Sequence, residues 1–377
     1  MWGINRVSRF ILSGIIKIGI KDKTMIELKR GNLLETDVEA VVNTVNTEGI
    51  MGKGVALQFR KAYPDNYEAY RRACEAGEVQ PGRMFIFDRQ SLTNPRYIIN
   101  FPTKRHWRNP SRMEDIESGL VALVADVRRL GIRSIAVPPL GCGLGGLPWP
   151  EVQQRMREAF EQVADVRWQV YEPAGAPDAK GIMNRTPRPK MTKGRAAVLG
   201  LINRYLVPGF DYPITLLEIQ KLVYFLTEAG EELNQVKFAR HHYGPYADVL
   251  RHVLEKMDGY FITGYGAGEN KPDTPIHIKP EAAAEAEQYL KEHAETHARF
   301  DRVSELIEGF ETPFGMELLA TVHWVATRED PQAAQNPDAA LADVRAWSTR
   351  KAQLMRPEQV TAAWRRLKDL GWIEARE

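Results

Sequence analysis

Apolar positions in the first half of this chain follow two alternating rhythms. Short runs rich in Ile, Val, Tyr and Phe predict strands at 26–30, 38–43, 83–88, 97–101, 135–137 and 167–171. Between them, apolar residues recur every three to four positions and predict helices at 53–63, 64–76, 111–130 and 148–163. The third of these opens on a capping box of Ser111 and Glu114. Strands alternating with helices are best buried as a mixed, largely parallel sheet between helices, so this half is α/β. The second half reads differently. Helical spacing covers 196–206, 215–233, 245–257, 281–309, 314–327 and 358–370, interrupted at 259–275 by a loop or hairpin with four glycines.

Residues 173–195 carry Pro, Gly and Lys/Arg with almost no apolar period, as an exposed linker does. The expected division is an extension at 1–24, an α/β domain at 25–172, a basic linker at 173–195 and a mainly α domain at 196–377. The extension holds an apolar run at 10–20 like that of a signal peptide, but no small-residue cleavage site precedes Lys21 and Asp22. It is therefore read as an upstream extension or amphipathic arm rather than a secretion signal.

Composition narrows the classes. The 377 residues are 44% hydrophobic and 27% charged, and no stretch reaches the ~18 apolar residues of a membrane span. Two cysteines, Cys74 and Cys142, make no disulfide framework and suit a reducing cytoplasm. The net charge of +2 is unevenly spread: +4 over 1–24, +1 over 25–177, +5 over 178–195 and −8 over 196–377. Residues 281–330 alone carry 12 acids against 4 bases, a field suited to a partner chosen by charge.

The candidate chemistry lies in loops after strands. Residues 43–54 run from Asn43 through Asn46 to Gly52-Lys53-Gly54 and feed into a helix, so backbone N–H groups point at any anion held there. Residues 138–149 form a second glycine loop, again between a strand and a helix. It contains a formal GxGxxG, yet only one helix and one strand follow before the linker, too little for a dinucleotide-binding unit. No Walker Lys-Ser/Thr pair follows either. Together the two loops would clamp a diphosphate. A third segment, Lys104-Arg105-His106-Trp107-Arg108, interleaves aromatics with cations, which suits single-stranded DNA or is simply a solvated basic loop.

Four motifs together resemble the macrodomain, the ADP-ribose-binding module, and within it the DarG family of DNA ADP-ribosyl glycohydrolase antitoxins. They are Gly31-Asn32-Leu33-Leu34, Asn46 with Gly52-Lys53-Gly54, Asn100-Phe101-Pro102-Thr103-Lys104, and Pro139-Leu140-Gly141-Cys142-Gly143-Leu144. The resemblance spans 25–171. It implies a catalytic Lys104 and an ADP-ribose site drawn from Asn32, Leu33, Asn46, Gly52, Lys53, Gly54 and Thr103, with Leu140, Gly141, Cys142, Gly143, Leu144, Gly145 and Tyr171. The related human terminal ADP-ribose glycohydrolases pair their lysine with an aspartate two residues after Gly-Cys-Gly, where this chain has Gly145. Lys104 then acts either as a covalent nucleophile, its pKa depressed by neighbouring Arg105 and Arg108, or as a cation stabilising the departing base. Cys142 reads as a packing residue. Asn32 stands where many macrodomains place an aspartate near adenine, on which Tyr171 could stack or else lie in the core.

Residues 215–261, with Tyr224-Phe225, His242-Tyr243-Gly244-Pro245-Tyr246 and Gly259-Tyr260-Phe261, resemble a Panacea-type antitoxin domain. The Tyr-Gly-Pro element reads as a turn before a helix. The DarG-like resemblance implies a DarT-like DNA ADP-ribosyltransferase toxin as partner, and the acidic run at 281–330, carrying Glu281, Glu285, Glu292, Glu305 and Glu308, is the surface expected to occupy its basic DNA groove by imitating phosphates. His293 and His297 lie four apart without a third ligand, so no metal is expected, and no cofactor. The expected function is an antitoxin that removes ADP-ribose from thymidine in single-stranded DNA and binds the toxin through its acidic half. Two other readings stay open: a non-catalytic ADP-ribose-binding module, and a glycohydrolase for ADP-ribosylated glutamate in proteins.

Overall fold

The computed structural model describes residues 25–173, 182–206, 213–266 and 270–374. The extension at 1–24 and much of the linker lie outside them. The chain forms two compact units, Met1–Val42 with Val79–Pro173, and Asn43–Glu78 with Ala174–Glu377.

A six-stranded mixed sheet is built from β1 (Met25–Lys29), β2 (Ala40–Asn46), β3 (Phe85–Asp88), β4 (Tyr97–Lys104), β5 (Ser134–Val137) and β6 (Arg167–Tyr171), in the order β1-β6-β5-β2-β4-β3. β1, β6, β5 and β2 run parallel, and β3 is antiparallel to β4. β2 and β4 are buried along nearly their whole length, and their apolar residues come in runs, Ala40-Val41-Val42 and Tyr97-Ile98-Ile99, rather than alternating. Helices α1 (Gly54–Ala62), α2 (Pro64–Glu75), α3 (Met113–Leu130) and α4 (Trp149–Phe160) connect the strands.

α3 packs Leu120, Leu123 and Val127 into the first unit's core, and Gly119 brings it down onto β4. A Cβ at Gly119 would stand 2.2 Å from the buried Phe101 ring. Behind the sheet, Trp168 stacks on Phe160 with centroids 3.7 Å apart. The expected capping box is not formed: α3 begins at Met113 with Arg112 as its N-cap and no side-chain cap bond. Ser111 is drawn away because its amide donates to the Gly145 carbonyl at 2.9 Å.

In the second unit two almost wholly buried helices, α6 (Leu216–Glu228) and α10 (Pro313–Trp324), form the centre. Thr215 and Glu218 make a complete capping box at the start of α6. Around them lie α5 (Lys193–Tyr205), α7 (Val249–Met257), α8 (Pro280–Leu290), α9 (Ala294–Ile307), α11 (Pro337–Trp347), α12 (Thr349–Leu354) and α13 (Pro357–Asp369). Three two- to four-residue strands, β7 (Ile214–Thr215), β10 (Ile262–Thr263) and β11 (Pro275–Ile278), pair antiparallel, and β8 (Ala239–His241) forms a hairpin with β9 (Gly244–Tyr246).

The single helix expected over 281–309 is two. The buried stripe of Ala282, Ala286 and Leu290 resumes at Thr296, six residues on and out of phase with a 3.6-residue repeat, so the chain must turn between them. Leu290 and Phe300 then both meet α5 at Gly200, where a Cβ would lie 3.1 and 2.9 Å from them. The helix expected from 245 starts at Val249 because Gly244–Tyr246 is a strand. α11 and α12 were not expected; they start from Asn336 and Ser348, whose side chains accept from Asp338 and Lys351 amides.

A buried charge cluster pins this unit. Glu317 on α10 accepts from Lys351 at 2.5 Å and from Arg350 at 2.6 and 3.0 Å. Lys221 on α6 donates to the Pro245 carbonyl at 2.7 Å, and burial together with Lys351 pushes its pKa down to about 7. The Tyr-Gly-Pro element is thus the strand by which β9 docks on α6. Gly119→Ala should push Phe101 out of place and cost about 1–3 kcal/mol of stability in urea unfolding, as overpacking a tight core does.

Candidate functional site

In the first unit the site starts at the end of β4. Thr103 is buried, and Lys104 reaches out to donate from Nζ to the Leu144 carbonyl at 2.5 Å. Partial burial lowers the Lys104 pKa, so its amine loses a proton more readily than an exposed lysine. The cause differs from the one expected, because the neighbouring cations point elsewhere. Arg105 forms a two-point bond to the buried Asp115 at 2.9 and 3.2 Å, and Arg108 lies over the Trp107 ring at 4.5 Å. Trp107 is 43% exposed, with His106 stacked beside it.

The loop after β5 folds back on itself. Gly141 takes φ +70°, its carbonyl accepts the Leu147 amide at 3.0 Å, and the Gly146 amide reaches Gly143 at 3.1 Å. Leu140 is fully buried, whereas Gly143 and Leu144 are exposed. No heavy atom lies within 4 Å of where a Gly143 Cβ would be. Gly145 is the opposite: a Cβ would fall 2.2 Å from the Gly141 oxygen and 2.3 Å from Ser111 Oγ. An aspartate at this position would require the loop to be rebuilt. Half-buried Cys142 bonds the Leu140 carbonyl at 3.5 Å, and burial pushes its thiol up to about 11, which fits packing rather than attack.

At the other end of the sheet's parallel part, Asn32 caps a short 3₁₀ turn, Leu33–Glu35. Its Oδ1 accepts the Leu34 amide at 3.0 Å and its Nδ2 donates to Glu35 at 2.9 Å. Leu33 is buried beneath it. Tyr171, the register partner of Lys29, is also buried and offers little ring surface for stacking.

In the second unit, Asn46 stitches the loop that follows β2. Its Nδ2 donates to the Ile50 carbonyl at 2.6 Å, while Oδ1 accepts the amides of Glu48 at 2.9 Å and Ile50 at 3.3 Å. The buried Tyr70 hydroxyl holds the Asn46 carbonyl at 2.5 Å. Gly52 has room around it, exposed Lys53 is the N-cap of α1, and Gly54 starts that helix at φ +61°. Sequence reasoning missed Tyr70, Asp115 and Ser111 as supports. Tyr70 and Asp115 sit in ordinary amphipathic helices, where nothing local marks them.

Of the acidic candidates, Glu281, Glu292 and Glu305 are exposed on α8, the α8–α9 turn and α9. Glu285 pairs with Arg188, and Glu308 with Arg366 at 3.1 Å. His293 lies 3.5 Å from Glu295 and His297 4.0 Å from Glu287. Among the described residues no group of three His, Cys, Asp or Glu side chains is placed to hold a metal, and no helix is long and apolar enough to cross a membrane.

Residues 42–156 match the model of the Macro domain family. The chain is 50% identical over 328 residues to the DNA ADP-ribosyl glycohydrolase of Thermus aquaticus, covering 87% of this chain and 89% of that protein. The solved macrodomain of Thermus aquaticus DarG is 63% identical, with 40% of this chain and 99% of that one aligned at a TM-score of 0.39. A DNA ADP-ribosyl transferase-DNA ADP-ribosyl glycohydrolase fusion protein of Thermosipho africanus is 34% identical over 169 residues, 41% of this chain and 43% of the fusion. The chain belongs to the DNA ADP-ribosyl glycohydrolases, macrodomain proteins one of which it matches along most of its length.

Proposed function

We propose that this chain is an antitoxin whose α/β domain hydrolyses the N-glycosidic bond between ADP-ribose and thymidine in DNA, and whose acidic half binds the toxin that makes that bond. The observation that carries the reading is Lys104, an amine of lowered pKa at a strand end, resting on the backbone of a glycine loop. Its kinship to a DNA ADP-ribosyl glycohydrolase over 328 residues supports the same chemistry. In this reading the backbone of 139–146 contacts the diphosphate, the 46–54 loop is a second ADP-ribose-binding segment, and Asn32, Leu33 and Tyr171 serve the adenosine end. Trp107 and Arg108 offer a stacking face and a charge to single-stranded DNA, three and four residues from the lysine.

As the glycosidic bond breaks, positive charge builds on the ribose and negative charge on the leaving base. Water then adds to the anomeric carbon, and the base leaves with a proton. A cation beside the base lowers that barrier; an unprotonated lysine could instead attack the anomeric carbon first, displacing the base, with water then releasing ADP-ribose from the lysine. The two routes differ in pH dependence. With a lowered Lys104 pKa the alkaline change falls below the ordinary value of 10.5. A rate that declines there identifies the ammonium as the working form, whereas a rate that rises toward it identifies the free amine.

The toxin half of the proposal rests on charge and on the Thermosipho fusion, which joins transferase and glycohydrolase in one protein. A DNA-modifying enzyme needs a basic groove, and exposed carboxylates on α8 and α9 can occupy it in place of phosphates.

Lys104→Ala should cut single-turnover release of ADP-ribose from DNA by about a hundredfold or more while ADP-ribose affinity stays within a few-fold. Parent-like turnover would remove Lys104 from the chemistry, and equal turnover of ADP-ribosylated protein would broaden the substrate. Gly143→Glu, whose side chain enters open space and should not disturb folding, is expected to abolish ADP-ribose binding in calorimetry. Glu281, Glu292 and Glu305 replaced together by Gln should slow association with a DNA-modifying toxin and flatten its salt dependence. Toxin that binds this chain and DNA simultaneously would contradict competition.

A further inference from the structure

A lysine in the last turn of α1 is almost completely buried. The Lys61 side chain is 5% exposed, and Nζ donates to Asp258 Oδ2 at 2.8 Å and to the Gly266 carbonyl at 3.1 Å. Asp258, equally buried, follows the last residue of α7. Its carboxylate also accepts the amides of Tyr265 and Gly266, each at 3.2 Å. The ion pair is therefore saturated by hydrogen bonds on its acidic side, the condition under which a buried pair fixes geometry. Contacts around it point the same way. Arg60 pairs with Glu255 one turn before Asp258, and the Lys61 carbonyl accepts the Arg185 amide at 2.8 Å. The Arg185 guanidinium covers the Tyr63 ring, and Asn184 donates to the Asp258 carbonyl at 3.2 Å.

α1 is nine residues long and is continuous with the loop stitched by Asn46, so whatever holds its last turn also limits the loop at its first. We infer that Lys61 and Asp258 are positioning residues: the helical half grips α1 through this buried ion pair and thereby fixes the 46–54 loop for ADP-ribose. Neither residue lies in the 46–54 loop. The inference rests on the reading of 46–54 as an ADP-ribose-binding loop. Because coupling is reciprocal, ligand held by the loop must also steady the segment from Asp258 to Gly266.

Amide hydrogen exchange on the full chain, with and without ADP-ribose, tests this. Asp258→Asn keeps the shape but removes the charge, and Lys61→Met removes the amine while leaving Asp258 its two amide donors; the pair guards against one variant failing to fold. The folded variant should exchange faster at 46–54 and bind ADP-ribose about five- to tenfold more weakly, with the rate at saturating substrate unchanged. In the parent, ADP-ribose should slow exchange at 258–266. Unchanged exchange at 46–54 in a folded variant overturns the inference. So does faster exchange with unchanged affinity. Asn46→Ala separates that outcome from a misread loop: if it too leaves affinity unchanged, the loop is not part of the ADP-ribose site. A general loss of stability is recognised with Lys351→Met, far along the sequence in the same unit, which should lower the melting temperature without altering exchange at 46–54.

Discussion

The carbonyl of Gly141 and the hydroxyl of Ser111 approach Gly145 so closely that no side chain fits there, and the remaining chemistry follows from this closure. It is held by the Ser111 amide on the Gly145 carbonyl and the Leu147 amide on that of Gly141, which in turn needs Gly141 in the left-handed region. Residues 138–149 contain no charged side chain, and the one thiol among them is held in its neutral form by burial. The loop can therefore offer a ligand backbone and open space but neither acid nor base. Whatever proton or charge the reaction needs must come from outside it. Lys104 rests on the Leu144 carbonyl and, in the proposed reaction, is the group that supplies it.

Charge in the helical half divides into two populations. Glu231 and Glu317 are buried and surrounded by cations: Lys193 and Arg299 for the first, Arg350 and Lys351 for the second. A buried acid with such partners specifies which helices meet but is hidden from any partner protein. The acids of α8 and α9 are instead mostly on the surface, and some are already neutralised, Glu285 by Arg188 and Asp301 by Arg204. The net of −8 over 196–377 is thus a poor measure of the field this half presents at its surface. That field depends on fewer carboxylates than the sequence counts, among them Glu281, Glu292 and Glu305.

Periodicity made the sheet legible because its strands are short, apolar and separated by amphipathic helices; the strand at Arg167–Tyr171 was read to the residue. It failed where a tertiary contact overrode a local signal. Ser111 and Glu114 have the spacing of a capping box, but the Ser111 amide is committed to Gly145. The run at 281–309 has helical composition throughout, and only the phase slip after Leu290 betrays the turn. In the site, the glycine loops and Lys104 were visible as motifs. The source of the lysine's lowered pKa was not, since the sequence places Arg105 and Arg108 beside it while the fold turns one to Asp115 and the other onto Trp107.

Lys61 marks the limit of such reading most clearly. A lysine in the last turn of a short amphipathic helix is favourable to the helix dipole and ordinarily solvated, and nothing within 53–63 distinguishes it from Arg60. Its partner Asp258 lies 197 residues away, beyond the linker. Because a buried ammonium without a carboxylate is strongly disfavoured, neither position is understandable without the other. The segment 43–78 consequently belongs to the α/β pattern in sequence and to the helical half in packing. A boundary drawn at the linker follows the covalent chain, whereas the compact units follow the buried ion pair. The loop at 46–54 lies in the segment where those two descriptions disagree.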